Sequence, residues 1–149
     1  VYKRQNENID IEYEENIMSQ IDSGLMLAVP SSFFEKQNIF KGSNLNKLDI
    51  GKNKITNLKF LHKFSEMNYL QCRFNKLKEF VSRETNVNLI SLDLQFNKIE
   101  TFRIDNVLPN LQKIDIHQNN IKKLEIMCNL DYLTELTVSS NLLEDLSSL

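Results

Sequence analysis

The sequence is poor in glycine, proline and tryptophan and carries no excess of either charge. It holds three Gly, two Pro and no Trp in 149 residues. With so few glycines it contains no Gly-rich loop of the kind that cradles phosphate groups. Lysine and arginine number 18 against 20 acidic residues, giving a formal net charge of -2, and no basic block stands out. The electrostatic footprint of a nucleic-acid-binding protein is therefore missing.

A long hydrophobic run is also absent. The longest uncharged stretch covers 12 residues, 23–34, which is too short to cross a bilayer as a helix. The chain does not open with a signal peptide, no Asn-x-Ser/Thr motif occurs, and the two cysteines, Cys72 and Cys128, are not obvious disulfide partners. We therefore expect no membrane partner. These absences favour a cytoplasmic location without fixing the compartment.

What the sequence does contain is one string that recurs at a fixed interval. LISLDLQFNKIETF, residues 89–102, is one of five related copies, and each copy begins 22 residues after the one before it. The copies begin at Leu45, Met67, Leu89, Leu111 and Leu133. An asparagine stands at the same place in every copy: Asn53, Asn75, Asn97, Asn119 and Asn141. Because the five registers agree without an insertion or deletion, the chain is built from repeats.

The recurring string matches the leucine-rich repeat pattern L-x-x-L-x-L-x-x-N-x-L, with Met67, Cys72 and Val138 as apolar substitutes. It resembles in particular the 22-residue repeats of the regulatory subunit of type-one protein phosphatase. Those repeats carry further apolar residues at every third place, which two connectors supply here: Leu58, Leu61 and Phe64, then Leu124, Met127 and Leu130. Arg83 and Asn86 break this pattern in one connector and Asp105 in the next. In the latter connector, Phe102 and Ile104 predict a short extended segment instead of a helix.

The resemblance implies an α/β fold, a leucine-rich repeat solenoid. Such a solenoid is a curved right-handed superhelix with a parallel sheet on its concave face and short helices or extended turns on its convex face. The physical reason for stacking is that Leu48 and Ile50 point to one side of a strand, and one unit of 22 residues cannot bury that side alone. We expect the recurring Asn to point inward, where its amide can bond buried backbone groups that have no ladder partner.

We predict a single domain over residues 6–149. Residues 8–21 are interpreted as a divergent first repeat, 22–44 as an elongated connector, and 45–149 as the five repeats, of which the last is truncated. Residues 1–5 fit no repeat and are interpreted as a non-native or fragment-boundary segment. The missing initiator Met and the uncapped last repeat suggest a fragment.

Outward-facing residues on the strands are expected to form columns across the concave face, where a partner would dock. The candidate binding residues are Tyr69, Gln71, Arg73, Phe74, Asp93, Gln95, Phe96, Lys113, Asp115 and His117. Phe74 and Phe96 occupy the same place in successive repeats, and two interpretations stay open for them. They form a hot spot for a partner, or they pack over the strand edge as structural residues.

Two enzyme-like groups of residues are weaker hypotheses. Asp115, His117 and Ser139 share one predicted face, as in a Ser-His-Asp triad, but an open face offers neither an oxyanion hole nor shelter from water. Asp93, Asp115 and His117 lack a fourth ligand for a metal. We therefore expect no catalytic residue, metal or cofactor.

The predicted function is a non-catalytic module that binds a protein or peptide on the concave face, with no small-molecule substrate. The alternative is that the chain is the recognition part of a larger enzyme or receptor.

Overall fold

The structure is a computed structural model that describes residues 46–82, 86–105 and 108–144. The predicted first repeat (8–21), the elongated connector (22–44) and the segment 1–5 lie outside the described residues. So do Leu45 and the last five positions of the sequence. The description that follows therefore concerns the turns that contain the recurring asparagines.

Short strands, each of three or four residues, dominate the described part of the chain. They are β1 (Lys47–Asp49), β2 (Tyr69–Gln71), β3 (Glu79–Val81), β4 (Ser91–Asp93), β5 (Thr101–Ile104), β6 (Lys113–Asp115), β7 (Lys123–Ile126) and β8 (Glu135–Thr137). They form two parallel sheets, one in the order β1-β2-β4-β6-β8 and the other in the order β3-β5-β7. Each turn of the chain thus adds one strand to the first sheet, and three turns also add a strand to the second.

The register of the first sheet follows the repeat. Leu48 pairs with Leu70, which pairs with Leu92, and the line continues through Ile114 to Leu136, one step of the repeat at a time. The prediction of a solenoid of parallel strands with a spacing of about 22 residues is confirmed, over about four turns. Because the spacing is constant, residues at the same place in successive repeats lie side by side about 5 Å apart.

The connectors contain much less helix than the resemblance implied. They include the 3-10 helix Lys59–Lys63, and the described part of the chain is a β-solenoid with very little helix. The helical part of the α/β expectation is therefore not confirmed. The apolar residues at every third place, Leu58, Leu61 and Phe64, are all buried, and a 3-10 helix with three residues per turn keeps such a series on one side.

The later connectors are extended. The predicted segment around Phe102 and Ile104 is confirmed as β5, in which both residues are fully buried. Leu124 lies in β7 and pairs with Phe102 in the second sheet, whereas Met127 is 63% exposed and takes no part in an apolar series. In β5, Thr101 and Ile104 are β-branched and Phe102 is aromatic, and these residue types favour strands over helices.

One hydrophobic cluster runs through the described turns and draws on both sheets. Leu70, Leu92 and Ile114 from the first sheet and Phe102 from the second are fully buried, and each such side chain stabilises the fold by about 1.5 to 3 kcal/mol. Leu136, in the last described turn, is only partly buried. Cys72 belongs to the cluster, and neither cysteine is in a disulfide. The described residues contain no helix that is long and apolar enough to cross a membrane.

Candidate binding surface

The recurring asparagines fix the corner where the chain leaves the first sheet. Asn97 is buried; its Oδ1 accepts the backbone N–H of Leu77 at 3.1 Å, and its Nδ2 donates to the carbonyls of Cys72 at 2.9 Å and Leu94 at 3.0 Å. Leu77 and Cys72 belong to the preceding turn and Leu94 to the same turn. Asn75, Asn119 and Asn141 make the equivalent bonds in their own turns. Asn53 donates to the carbonyls of Ile50 and Gly51.

The residue immediately before each of these asparagines has a left-handed backbone conformation. The φ angles are 57° at Lys52, 56° at Phe74, 55° at Phe96, 58° at Gln118 and 55° at Ser140. A non-glycine residue in this region costs about 1 to 2 kcal/mol. In the first four of these residues the conformation is held because the backbone N–H donates to the next turn, for example from Phe74 to Gln95 at 3.1 Å and from Phe96 to His117 at 3.0 Å.

The structure brings the two predicted aromatic residues together on the surface. The rings of Phe74 and Phe96 stack, with centroids 4.4 Å apart and planes 8° from parallel. The ring of His117 meets Phe96 edge-on at 5.4 Å. Phe74 is nevertheless 44% exposed, so the stack shields only one side of this ring. We call Phe74 and Phe96 the aromatic pair.

The predicted aspartates serve the backbone of their own strands. The Oδ1 of Asp93 accepts the N–H of Gln95 at 3.2 Å, and the Oδ1 of Asp115 accepts the N–H of His117 at 3.1 Å. Asp49 accepts the N–H of Gly51 in the same way. A bond from an aspartate side chain to the backbone N–H two residues later forms an Asx turn. These carboxylates therefore stabilise the ends of the strands in addition to facing solvent.

Asp93 and Asp115 are direct neighbours in the sheet, an arrangement that repels unless it is compensated. The side-chain Nε2 of Gln95 lies 3.0 and 3.1 Å from the two carboxylate oxygens of Asp93 and 3.3 Å from Oδ2 of Asp115. The Nε of Arg73 lies 4.0 Å from Asp93. Among the predicted site residues, Gln95 and Arg73 therefore offset the repulsion between the two aspartates. This role of the Gln95 amide was not predicted from the sequence.

The remaining predicted residues lie on the strands of the first sheet. Tyr69 begins β2 and is 43% exposed, and Gln71 ends this strand in register with Asp93. The Nζ of Lys113 lies 3.2 Å from a carboxylate oxygen of Glu135 on the next strand. The residues of the candidate site therefore share one sheet and the corner beside it.

The geometry around His117 differs from that of a catalytic triad. Its Nδ1 lies 2.7 Å from Oγ of Ser139, but Asp115 accepts a bond from the backbone of His117, where a triad needs a bond from the imidazole. The described residues hold no group of three or more His, Cys, Asp or Glu side chains arranged around a metal position.

Asn86, which interrupts the apolar series of its connector, is buried beside a small cavity. Its Nδ2 donates to the carbonyl of Leu61 at 2.9 Å, and its buried Oδ1 has no hydrogen-bond partner. The cavity measures about 20 Å³ and is also lined by Phe80 and Leu108. This volume suits a single water molecule, which needs about 10 to 15 Å³ by this measure, and it is too small for a substrate.

Neither the family models nor the curated proteins supply a relative. No family model matches the sequence, and no curated protein matches it. The function is therefore inferred from the residues and their geometry.

Proposed function

We propose that the described turns are a leucine-rich repeat solenoid and that the first sheet, with the corner beside it, binds a protein or peptide without catalysing a reaction. The assignment to leucine-rich repeats is supported by the match of five copies to the L-x-x-L-x-L-x-x-N pattern. It is also supported by the parallel strands at that spacing and by the inward asparagines. Solenoids of this kind use an extended surface across successive repeats to bind partners.

The observation that carries the proposal is the aromatic pair. Phe74 and Phe96 occupy left-handed positions that glycine or asparagine would fill without strain. Phe74 is also 44% exposed, so its ring contributes less to the core than an inward ring would. Exposed aromatic rings held in one orientation are the residues that most often dominate a protein interface, because they bury a large area with little loss of side-chain freedom.

A peptide selection tests the proposal. Peptides displayed on phage would be panned against the immobilised chain, and the enriched peptides would be titrated against a Phe74→Asn, Phe96→Asn double variant. Asparagine accepts a positive φ, so this change removes both rings and leaves the corner intact. We expect the affinity to fall by at least about tenfold, the size of a modest hot-spot loss.

The matched control is the double variant Gln118→Asn, Ser140→Asn, which makes the same change at two left-handed positions without rings. Its affinity is expected to stay within about twofold of the original protein. A selection that enriches no peptide, or peptides that bind the Phe variant and the original protein equally, would overturn the proposal.

A further inference from the structure

Lysines occupy the same place in three successive turns, directly after the inward asparagines. They are Lys54, Lys76 and Lys98, which we call the lysine column, and all three side chains are exposed. The backbone N–H of Lys76 donates to the carbonyl of Ile55, and that of Lys98 to the carbonyl of Leu77, each at 2.9 Å. These bonds keep the turns in register, so the three lysines lie in line at the spacing of neighbouring strands, about 5 Å.

The lysine column stands apart from the charged residues that form ion pairs between turns. Three ion pairs elsewhere on the described surface join successive turns: Lys113 with Glu135 at 3.2 Å, Lys122 with Glu144 at 3.8 Å, and Arg103 with Glu125 at 3.8 Å. In the described part of the chain no ion pair joins Lys54, Lys76 or Lys98 to an acidic residue. Like charges facing each other across strands are destabilising, so an anionic partner would relieve this repulsion.

The lysine column and the aromatic pair belong to the same corner. Phe74 and Phe96 each precede a lysine of the column by two residues, with the inward asparagine between them. In the turn before Phe74, the corresponding left-handed position is held by Lys52, which is also exposed. The corner therefore combines a stacked pair of rings with a row of lysines that form no ion pair with the other described residues.

We propose that this corner binds an acidic peptide segment, whose Asp or Glu side chains pair with the lysine column while an aromatic or aliphatic side chain packs on Phe74. The proposal rests on the function proposed above and specifies its partner. A nucleic acid is a poorer fit, since its backbone carries a charge at every nucleotide and the sequence has no excess of Lys and Arg to match it.

Defined probes test this inference. Three fluorescein-labelled probes would be titrated by anisotropy: a peptide of about ten residues with Glu at most positions and one Phe, the same peptide with Gln in place of Glu, and a single strand of oligothymidylate. We expect the acidic peptide to bind most tightly, and its affinity to fall as sodium chloride is raised from about 50 to 300 mM because exposed charges are screened.

The variants separate a specific site from general charge. The triple variant Lys54→Gln, Lys76→Gln, Lys98→Gln is expected to lose about tenfold in affinity for the acidic peptide. The control variant Lys59→Gln, Lys78→Gln, Lys122→Gln loses the same net charge from exposed lysines outside the column, and we expect less than about threefold. Circular dichroism would confirm that both variants keep the fold of the original protein.

The outcomes distinguish the two proposals. Equal losses in both triple variants, tighter binding of the Gln peptide, or preference for the oligonucleotide would each overturn the acidic-segment inference. If the phage selection enriches peptides without acidic residues, the binding function stands and this inference fails. If no peptide of any charge binds, the proposed function fails with it.

Discussion

The side-chain Nδ2 of Asn97 lies 2.9 Å from the carbonyl oxygen of Cys72, which belongs to the preceding turn of the solenoid. The Oδ1 of the same asparagine accepts the N–H of Leu77, also in the preceding turn. One side chain thus provides hydrogen bonds for a backbone N–H and a backbone carbonyl beyond the end of the strand, where strand pairing no longer provides them. The repeated asparagine therefore ties each turn to the one before it, and several predictions about stability and binding depend on this arrangement.

Replacing Asn97 with Ala should be among the most damaging polar substitutions in the chain. It leaves the buried Leu77 N–H without its partner, which costs about 1 to 3 kcal/mol, whereas the Cys72 and Leu94 carbonyls each lose one donor and keep a second, from Asn75 and Asn119. We expect the free energy of unfolding in urea to fall by about 1 to 3 kcal/mol. Asn141 makes equivalent bonds but is partly exposed, so water can replace its amide and Asn141→Ala should cost less. Equal losses at the two positions would contradict the burial argument.

A matched pair of leucines tests the core. Leu92 and Leu136 occupy the same register two turns apart, but Leu92 is fully buried and Leu136 only partly so. We expect Leu92→Ala to cost about 2 to 5 kcal/mol, the usual range for a cavity in a packed core, and Leu136→Ala to cost clearly less. Chemical denaturation of both variants measures the difference. A larger loss at Leu136 would show that the last described turn is better packed than its exposure indicates.

The left-handed corner can be tested at Gln118, which is exposed and has φ of 58°. Gln118→Gly relieves a strain of about 1 to 2 kcal/mol, offset in part by the greater freedom of glycine in the unfolded chain. The net change should be an increase of up to about 1 kcal/mol in the free energy of unfolding, measured by thermal denaturation. Gln118→Val should have the opposite sign, because a β-branched residue resists positive φ most strongly. If valine is tolerated as well as glycine, the corner does not have this backbone conformation.

Cys72 gives the stability a dependence on pH. Burial raises the pKa of its thiol well above the ordinary value, and the nearby charges of Asp93 and Asp49 add to the effect. In the unfolded chain the thiol ionises near pH 8.5, so above that pH the unfolded state loses a proton that the folded state keeps. The stabilising contribution is therefore complete below about pH 8.5 and is lost as the pH rises.

This contribution can be isolated by comparing the protein with its Cys72→Ala variant. Between about pH 9 and 10, the free energy of unfolding of the original protein should fall more steeply, by up to about 1.4 kcal/mol per pH unit. Other groups titrate in this range, but they are common to both proteins. Parallel pH profiles would show that the Cys72 thiol ionises as readily in the folded state as in the unfolded state.

Much of the first sheet could be predicted because the repeat determines both which residues are neighbours and which of them face inward. The spacing sets which residues are neighbours, and the alternation at Leu92 and Leu94 sets which of them face inward. The second sheet was only partly predictable. Phe102 and Ile104 indicated β5. The spacing of Leu124, Met127 and Leu130 instead suggested an apolar series at every third place, which the chain does not form because Leu124 lies in strand β7. Period alone cannot separate a short extended connector from a helical one.

The details of the candidate site were less predictable. The left-handed positions are occupied by Lys, Phe, Gln and Ser, residues that carry no sequence signal for a positive φ. The lysine column was visible in the sequence as a Lys after Asn53, Asn75 and Asn97. Its meaning depends on which of the described acidic residues form ion pairs with it in space, and a linear pattern does not reveal that. The Gln95 amide lies within hydrogen-bond distance of both Asp93 and Asp115, which likewise depends on a side-chain conformation that the sequence does not reveal.

The most direct test of the account is a nuclear Overhauser measurement on the side-chain amide protons of Asn97. If this side chain joins two turns, its Nδ2 protons should show cross-peaks to protons adjoining the Cys72 carbonyl and to the backbone amide of Leu77, and should exchange slowly with solvent. Cross-peaks confined to residues close in sequence, together with exchange at the rate of an exposed amide, would contradict the inward asparagine and the stacked solenoid built on it.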